Sequence, residues 1–204
     1  MAGIADAAPV IRFSKKVRRE QLLDVAAEIV VDRGVGGVTM EGLAERAGVS
    51  KALPYQHFEN ASAVLAALYR REIDLLARRV YEAVHALAAP DERVRAAIHA
   101  YFEVVVERGR VLGALSAPGV GVAAEADDGA RAGVEFVASL LVEPFGFTGK
   151  KARVLASMFL GTLSGAMDSW AHGDGGRARI EQTLTGVIVA GLLSEQRLAA
   201  AAAR

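Results

Sequence analysis

Apolar side chains in this sequence recur at intervals of three and four residues from Leu22 to Leu192, and no stretch alternates with the period of two that a half-buried strand requires. That spacing confines the chain to an all-α fold, because each stripe must be buried against another helix. Composition points the same way. Hydrophobic residues make up 52% and aromatic residues 6% of the 204 positions, so the core is built from Ala, Val and Leu, which favour helix over sheet. The length suits one small module joined to a larger helical domain.

Punctuation along the chain divides the pattern. Residues 1–13 carry Ala, Gly and Pro9 without periodicity, and Arg12, Lys15, Lys16, Arg18 and Arg19 lead into the first stripe. Leu22, Leu23, Ala26, Ile29 and Val30 place a first helix over residues 15–33, ending at Gly34. Thr39 is suited to cap a short second helix running to Ala47. Gly48 permits a left-handed turn, and Ser50 is positioned to cap a third helix ending near His57. A long amphipathic helix is expected over residues 61–88, stopped by Ala89 and Pro90, with Asp91 as the next cap. The helix that follows is expected to end near Gly109, with a shorter one over residues 110–116 and a mobile loop over 118–129. Helix resumes to Pro144, and two strongly apolar helices over residues 151–172 and 177–198 flank the turn HGDGG. The expected organisation is a flexible basic arm (1–14), a three-helix domain (15–60) and a larger helical domain (61–204).

The segment RREQLLDVAAEIVVDRGVGGVTMEGLAERAGVSKALPYQHFENASAVL, residues 18–65, is the informative part. Within it stand Gly34, Thr39, the run Ala47, Gly48, Val49 and Ser50, and the ending Tyr55, His57 and Phe58. In these residues the chain resembles the TetR family of transcriptional regulators. The resemblance implies an N-terminal helix-turn-helix, a C-terminal ligand-binding and dimerising helical domain, and phosphate contacts from Tyr55 and His57.

Residue chemistry supplies a parallel reading. The major groove is about 12 Å wide and admits one helix, so small residues at the start of a recognition helix allow close approach. Ser50, Lys51 and Ala52 fit that need. Gln56 can pair with adenine, Lys51 with guanine or a phosphate, and Ala52 or Leu53 can touch a thymine methyl. Thr39, at a helix N-terminus, is a second phosphate candidate. Two positions depart from the family's pattern. Pro54 removes an N–H within the third helix, which is therefore expected to be short or bent, and Ala61 stands where the family usually has Lys. Residues 1–60 also balance eight Lys and Arg against eight Asp and Glu, so DNA attraction must come from local placement of charge.

The formal net charge of +0 argues against a chain that coats nucleic acid without selectivity, and the absence of cysteine excludes disulfides and thiolate metal sites. No long apolar run or leader pattern is evident, so a cytoplasmic protein away from membranes is expected. His85, His99 and His172 are scattered, and no metal or cofactor is expected. GVGG at 34–37 and GVGV at 119–122 lack the strand or lysine of phosphate-binding loops. Ser116, Ser139, Ser157 and Ser164 have no evident His and Asp partners, so no enzyme activity is expected. Phe102, Phe136, Met158 and Phe159 are pocket candidates, although core packing is the commoner role for such stripes.

The expected partners are an inverted-repeat DNA operator, a small and largely apolar effector whose binding releases the DNA, and a second copy of the chain. Leu163, Met167, Trp170, Leu184 and Ile188 on the last two helices are the expected dimer seam, with Gly161, Gly165, Gly186 and Gly191 allowing close approach. The alternatives are a helical ligand-binding protein with lost or altered DNA binding, motivated by Pro54 and Ala61, and a helical enzyme.

Overall fold

The computed structural model describes residues 14–117, 120, 123–173 and 175–202. Among them are eight α-helices and one 3-10 turn, and no strand. In chain order these are α1 (Lys15–Arg33), the 3-10 turn (Val35–Gly37), α2 (Met40–Arg46), α3 (Ala52–Tyr55), α4 (Ala61–Val84), α5 (Pro90–Leu115), α6 (Ala123–Phe145), α7 (Gly149–Ala171) and α8 (Arg177–Ala202). Two compact units divide at Leu68 and Tyr69. The division falls inside α4 rather than ahead of it. Asn60 Oδ1 accepts from the Ala63 N–H at 2.9 Å to start that helix, and its first turns already bury Val64, Leu65 and Leu68.

In the first unit Ser14 opens α1, its hydroxyl accepting from the Val17 N–H. Lys15, Lys16, Arg18 and Arg19 lie within α1, so the basic segment is helical from Lys15 onward, and residues 1–13 lie outside the described residues. Leu22, Leu23, Ala26, Ile29 and Val30 are buried on one face. Arg46 of α2 reaches back to Glu28 at 3.1 Å and Asp32 at 2.8 Å, fixing α2 against α1. These carboxylates raise the already high Arg46 pKa, through hydrogen bonds first to Asp32 and then to Glu28, so the guanidinium is a permanent cation.

The second unit corrects several expectations. Residues 90–115 form one helix, not two: Gly109 is carried through α5, because one glycine costs a helix interior only about 1 kcal/mol relative to alanine. Its cap is Ala89 with Pro90 at the first position, and Asp91 lies in the first turn, where a carboxylate suits the helix dipole. The expected loop over 118–129 is helical from Ala123, while residues 118, 119, 121 and 122 lie outside the described residues. Gly129 breaks no helix. A Cβ there would come within 2.9 Å of the Tyr69 ring, so the glycine serves close packing of α6 on α4.

The core of this unit gathers Phe102 from α5, Leu141 and Phe145 from α6, Ala152 and Leu155 from α7, and Leu184, Ile188 and Leu192 from α8. Polar ties lock the helices around it. Glu72 of α4, fully buried, accepts from Arg108 of α5 at 2.7 and 2.6 Å and from Arg71 at 3.2 Å. Arg177 at the start of α8 joins Glu103 of α5 and Glu181 of its own helix. Its guanidinium holds the Glu103 carboxyl below the usual carboxylate range.

Candidate nucleic-acid interface and ligand cavity

The helix-turn-helix is built from local backbone rules. Thr39 Oγ1 accepts from the Gly42 N–H at 3.0 Å and caps α2. Gly48 takes φ +64, a left-handed turn that side-chain-bearing residues rarely adopt, and the Val49 N–H closes the helix end on the Ala44 carbonyl at 3.0 Å. Ser50 does not cap α3. The residue before that helix is Lys51, in helical conformation, with no side-chain cap. Pro54 accounts for the brevity of α3, four residues long. It is buried and donates nothing, while its carbonyl accepts from the His57 and Phe58 N–H groups to close the turn.

This arrangement leaves Ser50, Lys51, Ala52, Tyr55 and Gln56 exposed, with Leu53 and His57 half-buried and Thr39 exposed at the α2 N-terminus. The Tyr55 hydroxyl lies 3.4 Å from the Glu41 carboxylate, on the first turn of α2. His57 sits beside the positive start of α1. Its pKa is lowered, first by burial and then by the charges of Lys15, Arg19 and Arg18, and its Nδ1 is buried without a hydrogen-bond partner. Beside it Phe58 is buried, with the Arg19 guanidinium 4.8 Å from its ring centre. Although the sequence balances charge over residues 1–60, the fold draws three cations and an imidazole together.

The second unit holds a cavity of about 720 Å³, walled by α4, α5, α6, α7 and α8. Its lining is mostly apolar, including Phe136 and Phe159, and its polar groups are few: Asp74, Arg93, Tyr69, Tyr101, Ser157 and Ser164. Burial pushes the Tyr101 phenol above its ordinary range, so it faces the cavity as a neutral hydroxyl. Of the other aromatic and Met candidates, Phe102 is fully buried core and Met158 is 61% exposed.

Residues 22–68 match the family of bacterial regulatory proteins known as the tetR family. The chain carries the TetR-family N-terminal domain. The match of the HTH-type transcriptional activator FasR of Mycolicibacterium smegmatis is 38% identical over 94 residues, covering 46% of this chain and 43% of that protein. The chain thus aligns with less than half the length of that relative. The whole fold is shared more widely. A transcriptional regulator from Pseudomonas aeruginosa PAO1 superposes with a TM-score of 0.75 over 91% of this chain and 95% of its own, at 18% identity. The regulator FadR of Bacillus subtilis, solved with stearoyl-CoA, superposes with a TM-score of 0.70 over 84% of this chain and 98% of its own, at 17% identity. At such identities the likeness is one of fold: the second unit is a TetR-like helical domain.

Within that TetR-like domain the expected seam residues turn mostly inward. Leu184 and Ile188 are buried in the core of a single chain, Leu163 and Ile188 line the cavity, and Met167 and Trp170 pack half-buried against the core. The faces of α7 and α8 left exposed carry Val154, Met158 and Val187 instead, each more than half exposed. Gly161, Gly165, Gly186 and Gly191 have no atom near where a Cβ would stand. The helical period marked both helices as doubly apolar but did not say which stripe faced inward. The polar cavity residues were missed as a set. One signal was legible: Arg93 stands four residues before Ala97 and eight before Tyr101, a charge at the head of an apolar stripe.

Proposed function

We propose that the chain is a ligand-responsive transcriptional repressor, acting in the cytoplasm as a homodimer on an inverted-repeat operator. The observation that carries this reading is the exposed surface of α3 and its flanks, where Ser50, Lys51, Ala52, Tyr55 and Gln56 stand available to bases and phosphates beside a half-buried Leu53. The flanking groups supply the backbone grip. Thr39, at the capped N-terminus of α2, and His57 with Lys15, Arg18 and Arg19 form a phosphate-facing rim, since contacts to phosphate position a protein while base contacts give sequence choice. The exposed stripe of Val154, Met158 and Val187, with its bare glycines, supports pairing of α7 and α8 with a second copy. A two-fold dimer presents two α3 helices to half-sites about 34 Å apart. An effector in the cavity walled by α4 to α8 favours a different disposition of α4 and releases the DNA. The FadR relative solved with stearoyl-CoA supports an apolar occupant in a domain of this fold.

The four-residue α3 favours a second reading, a ligand-binding protein whose DNA binding is altered or lost. Selection of bound fragments from random duplex DNA, followed by titration at several salt concentrations, separates the two. The repressor reading expects an enriched inverted repeat bound with a steep salt dependence. No enrichment would favour the second.

A further inference from the structure

Given that the second unit is the effector domain of the proposed repressor, the polar groups of its cavity specify what an occupant must carry. Most of them are already accounted for. Tyr69 is buried, and its phenol is hydrogen-bonded to Ser116 at the end of α5. Asp74, Ser157 and Ser164 are exposed, so each is open to water. Arg93 and Tyr101 differ from these. Both are half-buried, and both stand on α5, whose Val94, Ala97 and Ile98 also line the cavity.

Arg93 donates to the Leu87 carbonyl at 3.2 Å, and among the described residues no carboxylate pairs with it. A guanidinium carries five N–H donors, so most of its capacity is left over. The Tyr101 hydroxyl has no hydrogen-bond partner among the described residues. Helix geometry fixes the spacing of the two groups. Arg93 and Tyr101 are eight residues apart on one continuous helix, which at 1.5 Å per residue is about 12 Å along its axis. Both side chains lean toward the helix N-terminus, so their tips keep roughly that separation. Between them Val94, Ala97 and Ile98 offer only hydrocarbon. A ligand with a single anionic head and an apolar tail meets Arg93 but leaves the Tyr101 hydroxyl desolvated and unpaired. We infer that the effector is bipolar: a ring-built carboxylic acid whose carboxylate meets Arg93 and whose hydroxyl or carbonyl oxygen, about 12 Å away across an apolar body, bonds to Tyr101. Linked or fused rings hold two poles at that spacing without the ordering entropy that a flexible chain loses on binding.

Isothermal titration of the full chain tests this with three rigid probes. Hydroxybiphenyl carboxylate, substituted at its two far ends, carries both poles, biphenyl carboxylate carries only the acid, and para-phenylphenol carries only the hydroxyl. The bipolar probe should bind saturably with one site per protomer, about fivefold or more tighter than either single-pole probe. Tyr101→Phe keeps the ring and loses the phenol oxygen. It should bring the bipolar probe down to the affinity of biphenyl carboxylate and leave that acid unchanged. Arg93→Ala should weaken both acids about tenfold and leave para-phenylphenol unchanged, while Arg93→Lys restores part of the loss. The comparison of the three probes on the parent chain holds even where a variant fails to fold. Failure of the bipolar probe to bind, no gain from its hydroxyl, or an equal loss of both acids in a folded Tyr101→Phe would overturn the assignment. Gel shifts without ligand are scored separately. Operator binding with no probe bound defeats only this assignment, and probe binding with no operator bound defeats only the repressor reading.

Discussion

The two units draw on one helical period for different ends. In the first, the buried apolar residues of α1, α2 and the start of α4 form one core, and the exposed residues at α3 are polar, small or aromatic at fixed places. In the second, apolar residues serve three surfaces at once: the core around Phe102, the cavity walled by α4 to α8 and the stripe through Val154, Met158 and Val187. The first unit also ties its helices with exposed ion pairs such as Arg46 with Glu28 and Asp32, whereas the second buries the Glu72 carboxylate against Arg108. The surface of the first unit can therefore change with little effect on folding. The second couples its interior charges to its stability.

The largest expected effect breaks this contrast at its electrostatic centre. Arg108→Ala removes the two-pronged partner of a fully buried carboxylate, and breaking such a pair costs about 3 to 5 kcal/mol. Arg71 remains as a partial partner, so the low end is expected. Urea unfolding followed by circular dichroism should show a clear fall in midpoint. Arg46→Ala, which cuts exposed pairs, should leave it nearly unchanged. Equal shifts in the two variants would erase the distinction between the units.

Next is the stripe on α7 and α8. Val187→Arg places a charge on an exposed position, so the chain should fold, sediment as a monomer and lose about a hundredfold or more in operator affinity when its half-sites are no longer linked. Leu184→Arg should unfold the second unit, because Leu184 is core. A Val187→Arg variant that remains a dimer would place the seam elsewhere. The smaller change is at α3: Lys51→Ala and Tyr55→Ala each remove an exposed contact worth about 1 to 3 kcal/mol at a base, or less at a phosphate. Fluorescence anisotropy should show weaker operator binding with an unchanged melting temperature. Unaltered affinity in both variants would remove α3 as the reading element.

What was legible in the sequence follows the same division. Thr39, Gly48 and Gly34 each carry a backbone requirement at one position, so the elements of the first unit could be placed from single residues. The exception was α3, where the missing cap and Pro54 left a single turn. Gly109 and Gly129 read as breaks in the second unit because their packing is set by α5 being one continuous helix and by the Tyr69 ring, neither of which is local in sequence. Leu184 and Val187 show the limit most clearly. They are three residues apart on α8, equally apolar, and one is core while the other is exposed. Only the position of the neighbouring helices separates them.

The finest test joins the charge of the first unit to DNA binding. His57 has a pKa below its ordinary 6.5, through burial first and then through Lys15, Arg19 and Arg18 of α1. On falling pH the unfolded chain therefore takes up this proton before the folded one does. The stability contributed by His57 is present above pH 6.5 and is lost as pH falls through the folded-state value. A phosphate at the same place acts in the opposite sense, offsetting the three cations and favouring the imidazolium. Operator binding then takes up a proton, and affinity should rise as pH falls below 6.5 while the free protein grows less stable. The gain is limited to about tenfold per pH unit for each protomer, one proton being taken up per His57. Anisotropy titrations from pH 7.5 to 5.5 at fixed salt measure it, with thermal melts over the same range giving the opposing slope. His57→Gln should flatten the affinity profile and remove part of the stability slope. If the variant keeps the parent's affinity slope, the protons taken up on binding belong to another group and His57 does not face phosphate.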